Sequence, residues 1–228
     1  MQDILEQSLE KLCAERVKVT GASRTDAGVH ALGQMAAFST SASRTPDVVM
    51  KALNALLPAD IRVLSSEISP DSFHPRYDAK RKTYFYLISL KGNTAFMHRY
   101  LWDLRMSLDL DAMAEAASAL MGTHDFSSFR GAGCSARNPV RTIDLLTVER
   151  LSEIRFMTAA MRGDFMKIHI GANGFLRHMV RNIVGTLVET GKGRLKPGSL
   201  SEILASQDRE AAGPTAPAEG LFLEQISY

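Results

Sequence analysis

Several residue types that build special-purpose sites are scarce in this chain. Its 228 residues include two cysteines, Cys13 and Cys134, too few for a disulfide framework or a four-thiolate zinc set. Both read as free thiols, as in a cytoplasmic protein. No apolar run approaches the roughly 18 residues that a spanning helix needs, and no basic-then-apolar leader follows Met1. The sequence therefore points to neither membrane nor export. Charge of one sign is not in excess either: the net charge is +2, so the overall balance reveals no polyanionic partner. No repeat and no low-complexity tract is present. What remains, 45% hydrophobic and 23% charged, is an ordinary globular composition, long enough for one large domain or two small ones with a real core.

The distribution of charge says more than its sum. Between Ala172 and Lys196 stand Arg177, Arg181, Lys192, Arg194 and Lys196 against the single acid Glu189. Arg76, Lys80, Arg81 and Lys82 form a second group, and Arg130, Arg137 and Arg141 a third. Each alone is what a solvated face shows; together they suit a nucleic-acid backbone.

The richest stretch is 18–38. A β-branched run ending at Val19 and Thr20 and an apolar run from Met35 to Phe38 read as strands, with a long polar loop between them. The loop holds one acid, Asp26, with Arg24 before it, Gly28 after it and His30 close behind. Taken alone, Arg-Thr-Asp-Ala-Gly also suits a tight loop with an Asx turn and a surface arginine.

Along the chain, Ile4, Leu5, Leu9 and Leu12 form a helical stripe. Thr45-Pro46-Asp47 starts a helix whose core face is Val49, Leu53 and Leu56, stopped by Pro58. Residues 61–68 and 83–90 are predicted strands, with a turn at Lys91-Gly92-Asn93. Leu110, Met113, Ala117 and Leu120 mark a helix ended by Gly122, and 123–139 a loop. Strands are expected over 141–150 and 164–170, separated by a poorly patterned insert at 151–162. Asn173 is the expected cap of the clearest helix, which runs to Gly191 and carries Arg177 and Arg181 on one face. A short helix at 199–206 and a closing strand at 221–226 complete the pattern. Strands in pairs argue for α+β, built on antiparallel pairing. The expected division is an N-terminal subdomain at 1–100 with the Asp26 loop and a C-terminal subdomain at 101–228 with the basic helix and closing strand.

The string Gly21-Ala-Ser-Arg-Thr-Asp-Ala-Gly-Val-His-Ala-Leu-Gly-Gln34 resembles the catalytic loop of the tRNA pseudouridine synthase A family (tRNA-uridine isomerase I). Further segments are similar in the same order: Ser72–Tyr77 with Lys80–Tyr86, Gly122–Arg130, Asn173–Gly185 and Thr215–Leu223. The resemblance implies two similar α/β-sandwich-like halves sharing a mixed, mainly antiparallel sheet with a central cleft. It implies a homodimeric tRNA isomerase that converts uridine to pseudouridine at positions thirty-eight, thirty-nine and forty of the anticodon arm, without a metal or other cofactor.

On that resemblance Asp26 is the catalytic carboxylate, Tyr84 the tyrosine stacking on the uridine, and Arg181 the arginine that pairs with the carboxylate. Arg24, His30, Arg76, Lys82, Arg130, Arg177, His178 and Leu223 are the expected substrate and RNA contacts. Taken from the residues alone, Tyr84 also suits a core strand aromatic and Arg181 a phosphate contact. His30, His74, His124 and His178 are dispersed and lack His-x-x-x-His spacing, so no metal site is expected. The family normally has a strand before the first helix, and this chain begins directly on that helix. That difference motivates a second reading, a catalytically impaired tRNA-binding protein or chaperone. A glycosidic hydrolase is a third, and would want a second carboxylate beside Asp26.

Overall fold

The computed structural model describes residues 1–92, 95–156 and 158–228. In chain order the elements are α1 (Gln2–Cys13), β1 (Thr20–Gly21), β2 (His30–Ala31), β3 (Ala36–Ala37), α2 (Pro46–Leu56), β4 (Arg81–Ser89), β5 (Trp102–Asp103), α3 (Leu110–Ser118), β6 (Gly122–Asp125), β7 (Val140–Phe156), β8 (Ala159–Ala172), α4 (Met179–Gly191), α5 (Ser199–Ser206) and β9 (Leu221–Ser227). They divide into two compact units, one formed by Met1–Arg24 with Gln34–Ala79 and the other by Thr25–Gly33 with Lys80–Tyr228. The chain leaves the first unit after Arg24 and returns to it at Gln34. The boundary expected at 100/101 falls inside the second unit, because β4 is hydrogen-bonded to β8 and β9.

The smaller unit packs α1 and α2 around Leu9, Cys13, Val17, Val19, Val49, Leu53 and Leu57. Thr45 caps α2 by accepting from the Val48 amide, as its Thr-Pro-Asp start predicts. Two stripe positions differ from expectation. Leu57 is buried and Leu56 exposed, since the residue four after Leu53 is the one that completes the face; on α1, Cys13 is buried and Ile4 exposed. Residues 61–68 form no strand. The Asn54 side chain occupies both backbone groups of Val63, donating to its carbonyl at 2.9 Å and accepting from its amide at 2.8 Å, in place of a strand partner. β1 and β3 pair antiparallel as a short two-residue ladder.

The larger unit is built on a mixed, mainly antiparallel sheet ordered β2-β9-β4-β8-β7-β6, with β5 beside the far end of β4. Only the β2/β9 and β4/β5 pairings are parallel among the described residues. With the helices this is an α+β fold. Tyr84, Tyr86 and Ile88 alternate inward along β4, while Phe85 and Leu87 are half-buried, the period of a strand with one fully covered face.

Three expectations change here. The insert expected at 151–162 belongs to a long hairpin: β7 and β8 remain paired through Glu153↔Arg162 and Ile154↔Met161, with a bulge between Leu151 and Glu153. Bulges break the two-residue alternation on which the sequence reading depended. Within the expected loop at 123–139, residues 123–125 continue β6 against Val140–Thr142, and Gly122 takes its positive φ of 95° at the start of that strand. The predicted start of α4 also moves, from Asn173 to Met179. Asn173 instead pairs with β7, its amide donating to Thr142 O and its Oδ1 accepting from Thr142 N. Of the turn expected at Lys91-Gly92-Asn93, Asn93 lies outside the described residues, as does Met157 of the expected insert.

Candidate active site

The loop that carries Asp26 is fastened to the edge of the larger unit's sheet. Asp26 O accepts from the Val29 amide at 3.1 Å, and Gly28 between them has φ +85°, a backbone turn that glycine adopts without strain. Directly after it, β2 pairs in parallel with β9, His30 opposite Phe222 and Ala31 opposite Leu223, and the Leu32 amide donates to Leu223 O.

Asp26 meets two side chains from the start of α4. Arg181 Nη1 donates to Asp26 Oδ2 at 2.8 Å, and His178 Nε2 lies 3.3 Å from the same oxygen. The three side chains are partly buried, 16% exposed for Arg181, 26% for His178 and 29% for Asp26. An ion pair so placed is screened less than one on an open surface. Since His178 is the N-cap and Arg181 stands in the first turn, the carboxylate also lies at the end of α4 where a helix favours an anion.

Behind Arg181 the chain is tightly braced. Its Nε donates to Ala216 O at 2.7 Å, and the Ala216 amide donates to Arg181 O at 3.1 Å. The neighbouring Asn182 is fully buried: its Nδ2 donates to Phe129 O, and its Oδ1 accepts from Thr215 Oγ1 and Arg209 Nη2. Gly185 lets the two segments touch, for a Cβ there would lie 1.7 Å from Pro214 O.

Tyr84 faces the covered side of β4, 5% exposed, and Phe175 meets it edge-on with ring centroids 5.2 Å apart. The ladder between β4 and β9 skips Glu224, Thr83 pairing with Gln225 and Tyr84 with Leu223, so the bulge lies on β9 beside the tyrosine. Leu223, fully buried, pairs with Tyr84 on one side and Ala31 on the other, so it links the exit of the Asp26 loop to the tyrosine strand. Asp26, His178 and Arg181 thus meet directly, while Tyr84 and Leu223 share the sheet that anchors their loop.

The other expected contacts have neighbours of their own. The His30 ring stacks on Phe222 at 4.6 Å and its Nε2 bonds Arg99 O, so packing holds it rather than Asp26. Arg130 Nη2 donates to the carbonyls of Cys134 and Ala136, and Arg177 Nη1 to that of Ala132. The two arginines therefore brace the loop after Phe129. Arg177 precedes α4, so it does not share a helix face with Arg181 as expected. Lys82 is half-buried on β4 between Ala172 and Ile226. Arg24 and Arg76 belong to the smaller unit and are exposed there, Arg76 6.0 Å from the Tyr77 ring centre.

Burial pushes the Tyr86 hydroxyl well above the usual phenol range, with the Glu219 carboxylate adding to it, and the hydroxyl donates to Pro217 O at 2.7 Å. That tyrosine is a fixed donor. Burial raises the Cys134 thiol, but backbone amides of Arg177 and Ala136 and the Arg130 guanidinium more than offset it and leave it lowered. Among the described residues no group of three His, Cys, Asp or Glu side chains could hold a metal ion. A cavity of about 650 Å³ at the hairpin is lined by Lys91, Arg150, Arg162 and Asp164 and by none of these site residues. Arg150 and Lys91 both pair there with Asp164.

Sequence reasoning missed Phe175, Gly131, Asn182 and the Ala216 carbonyl as parts of this arrangement. Asn173-Gly174 is turn chemistry, and it was the signal that the helix begins later and frees Phe175 to face Tyr84. The carbonyl and the glycine contacts have no signature in sequence.

The family model described as tRNA pseudouridine synthase matches residues 1–78 and 116–228. The chain belongs to that family. A protein of Thermodesulfovibrio yellowstonii named tRNA pseudouridine synthase A is 42% identical over all of this chain and 90% of its own length. A protein of the same name from Moorella thermoacetica is 46% identical over 97% of this chain and 86% of its own. Another from Myxococcus xanthus is 42% identical over all of this chain and 83% of its own. Family membership covers the Asp26 loop, His178, Arg181 and Leu223, while Tyr84 lies in the stretch between the two matched parts. No helix among the described residues is long and apolar enough to cross a membrane.

Proposed function

We propose that this chain is a tRNA pseudouridine synthase acting on uridines thirty-eight, thirty-nine and forty of the anticodon arm. The observation that carries the reading is the Asp26 carboxylate, held at 2.8 Å by Arg181 in a chain of this family. The reaction breaks the N1–C1′ bond, turns the base and rejoins it through C5, with the C5 proton released and one gained at N1. It neither oxidises nor hydrolyses, so a carboxylate suffices. Asp26 either attacks C1′ as positive charge develops there or removes a sugar proton, the two ways a carboxylate serves glycosidic chemistry.

The target base must leave the stem before its sugar can be reached, and an aromatic face is the usual support for a base so displaced. Tyr84, steadied by Phe175, is assigned that role, with Leu223 packing beside it. Arg24, His30, Arg76, Lys82, Arg130 and Arg177 are assigned to RNA contact. The protein works in the cytoplasm as a C2 homodimer, since reading an anticodon arm against the rest of an L-shaped tRNA requires contacts far from one flipped nucleotide.

Tritium at uridine C5 provides the test, because rejoining through C5 releases it. Unmodified tRNA transcript should lose tritium from the anticodon arm when mixed with the purified chain, and light scattering should give twice the monomer mass. No release, or release confined to another arm, contradicts the assignment. A monomer working at full rate removes the dimer from it.

A further inference from the structure

We propose that His178 is a positioning residue for Asp26: with Arg181 it grips one carboxylate oxygen, Oδ2, and so assigns the reacting position to Oδ1. The proposal rests on the reading of Asp26 as the reactive carboxylate. His178 Nε2 stands 3.3 Å from Oδ2 and Arg181 Nη1 2.8 Å from it. The Arg181 hydrogen bond and the imidazole 3.3 Å away on the same oxygen restrict how the carboxylate can turn, which is what a group needs to meet a sugar carbon or proton in line.

The backbone is shaped for this contact. His178 is the N-cap of α4 at φ 61° and ψ −1°, a left-handed conformation that non-glycine residues seldom adopt, and its side chain makes no cap hydrogen bond. An N-cap residue ordinarily serves the helix with a short side chain from an extended backbone; here the imidazole serves Asp26 instead. Across from the ring sits Gly131, where a Cβ would lie 2.8 Å from Nδ1 and 2.9 Å from Cγ, so only glycine leaves the ring its place. The Gly131 amide donates to Arg177 O at 2.8 Å, and the Asn182 amide to His178 O at 2.9 Å, fixing the chain on both sides. With its proton on Nε2, the imidazole holds a positive dipole end 3.3 Å from Oδ2.

The test compares His178→Ala, His178→Gln and His178→Asn by single-turnover pseudouridine formation at saturating tRNA, with tRNA affinity measured alongside. His178→Ala should slow the reaction about 10- to 100-fold while affinity stays within about threefold of wild type. His178→Gln, whose amide can reach Oδ2, should recover about tenfold of that loss. His178→Asn tolerates the left-handed backbone but falls short of Oδ2, so it should match His178→Ala. If His178→Ala fails to fold, the Asn and Gln variants decide by their difference in rate. A His178→Ala rate within about twofold of wild type, equal rates for Gln and Asn, or a loss confined to affinity overturns the proposal and makes His178 a simple RNA contact. Absence of product from the wild-type chain overturns the functional reading itself, and this proposal with it.

Discussion

Arg181 and Ala216 are bonded twice, by the Ala216 amide to Arg181 O and by Arg181 Nε to Ala216 O. The guanidinium is therefore oriented from behind before it reaches Asp26 with Nη1. This is a use of arginine that lysine cannot copy, because a single ammonium lacks the planar fork.

Arg181→Lys should accordingly slow single-turnover pseudouridine formation about 100-fold, or roughly 2.7 kcal/mol, although the charge is kept. Arg181→Ala should cost at least as much, because it leaves the partly buried Asp26 without its cation. Rate measured at saturating tRNA checks both. A lysine variant near the wild-type rate would show that charge alone is what Asp26 needs.

Gly185→Ala tests the contact between α4 and the 213–217 segment. The added methyl would meet Pro214 O and C at 1.7 and 2.9 Å, both backbone atoms, so the segment must shift and disturb the Arg181–Ala216 pair. We expect a loss of about 1–3 kcal/mol in urea unfolding together with reduced turnover. Unchanged stability would place the two segments farther apart than described.

Glu15→Gln concerns acid stability. Hydrogen bonds from the Thr40 hydroxyl first, then from the Ser41 hydroxyl and amide, hold the exposed Glu15 carboxyl down at about 2 from an ordinary value of 4.5. The folded value is the lower one, so the stabilisation is present above about pH 4.5 and is lost as pH falls toward 2. Glu15→Gln should lower the melting temperature at pH 7 and flatten its decline between pH 5 and 2. A variant whose melting curve parallels wild type across that window would show that the Glu15 hydrogen bonds to Thr40 and Ser41 add nothing to stability.

The parts of this fold legible in sequence are those decided locally. Thr45-Pro46 sets the start of α2 by its own cap, and the α5 and β9 segments lie where their patterns put them. Elements decided by distant partners were harder to read. Residues 61–68 have strand composition, but Asn54 takes the backbone groups of Val63; Asn173 has cap composition, but Thr142 claims it. The site divides in the same way. Asp26 and Arg181 were legible through motif resemblance and meet as expected, whereas the His178 contact depends on a left-handed cap and on Gly131 across the ring, neither of which spacing reveals.

Asp26→Asn tests the central claim most directly. The substitution keeps the size of the side chain and a partner for Arg181 while removing the carboxylate, so tRNA affinity should stay within about threefold of wild type and pseudouridine formation should be abolished. An Asp26→Asn variant that still forms pseudouridine at near the wild-type rate would contradict the account.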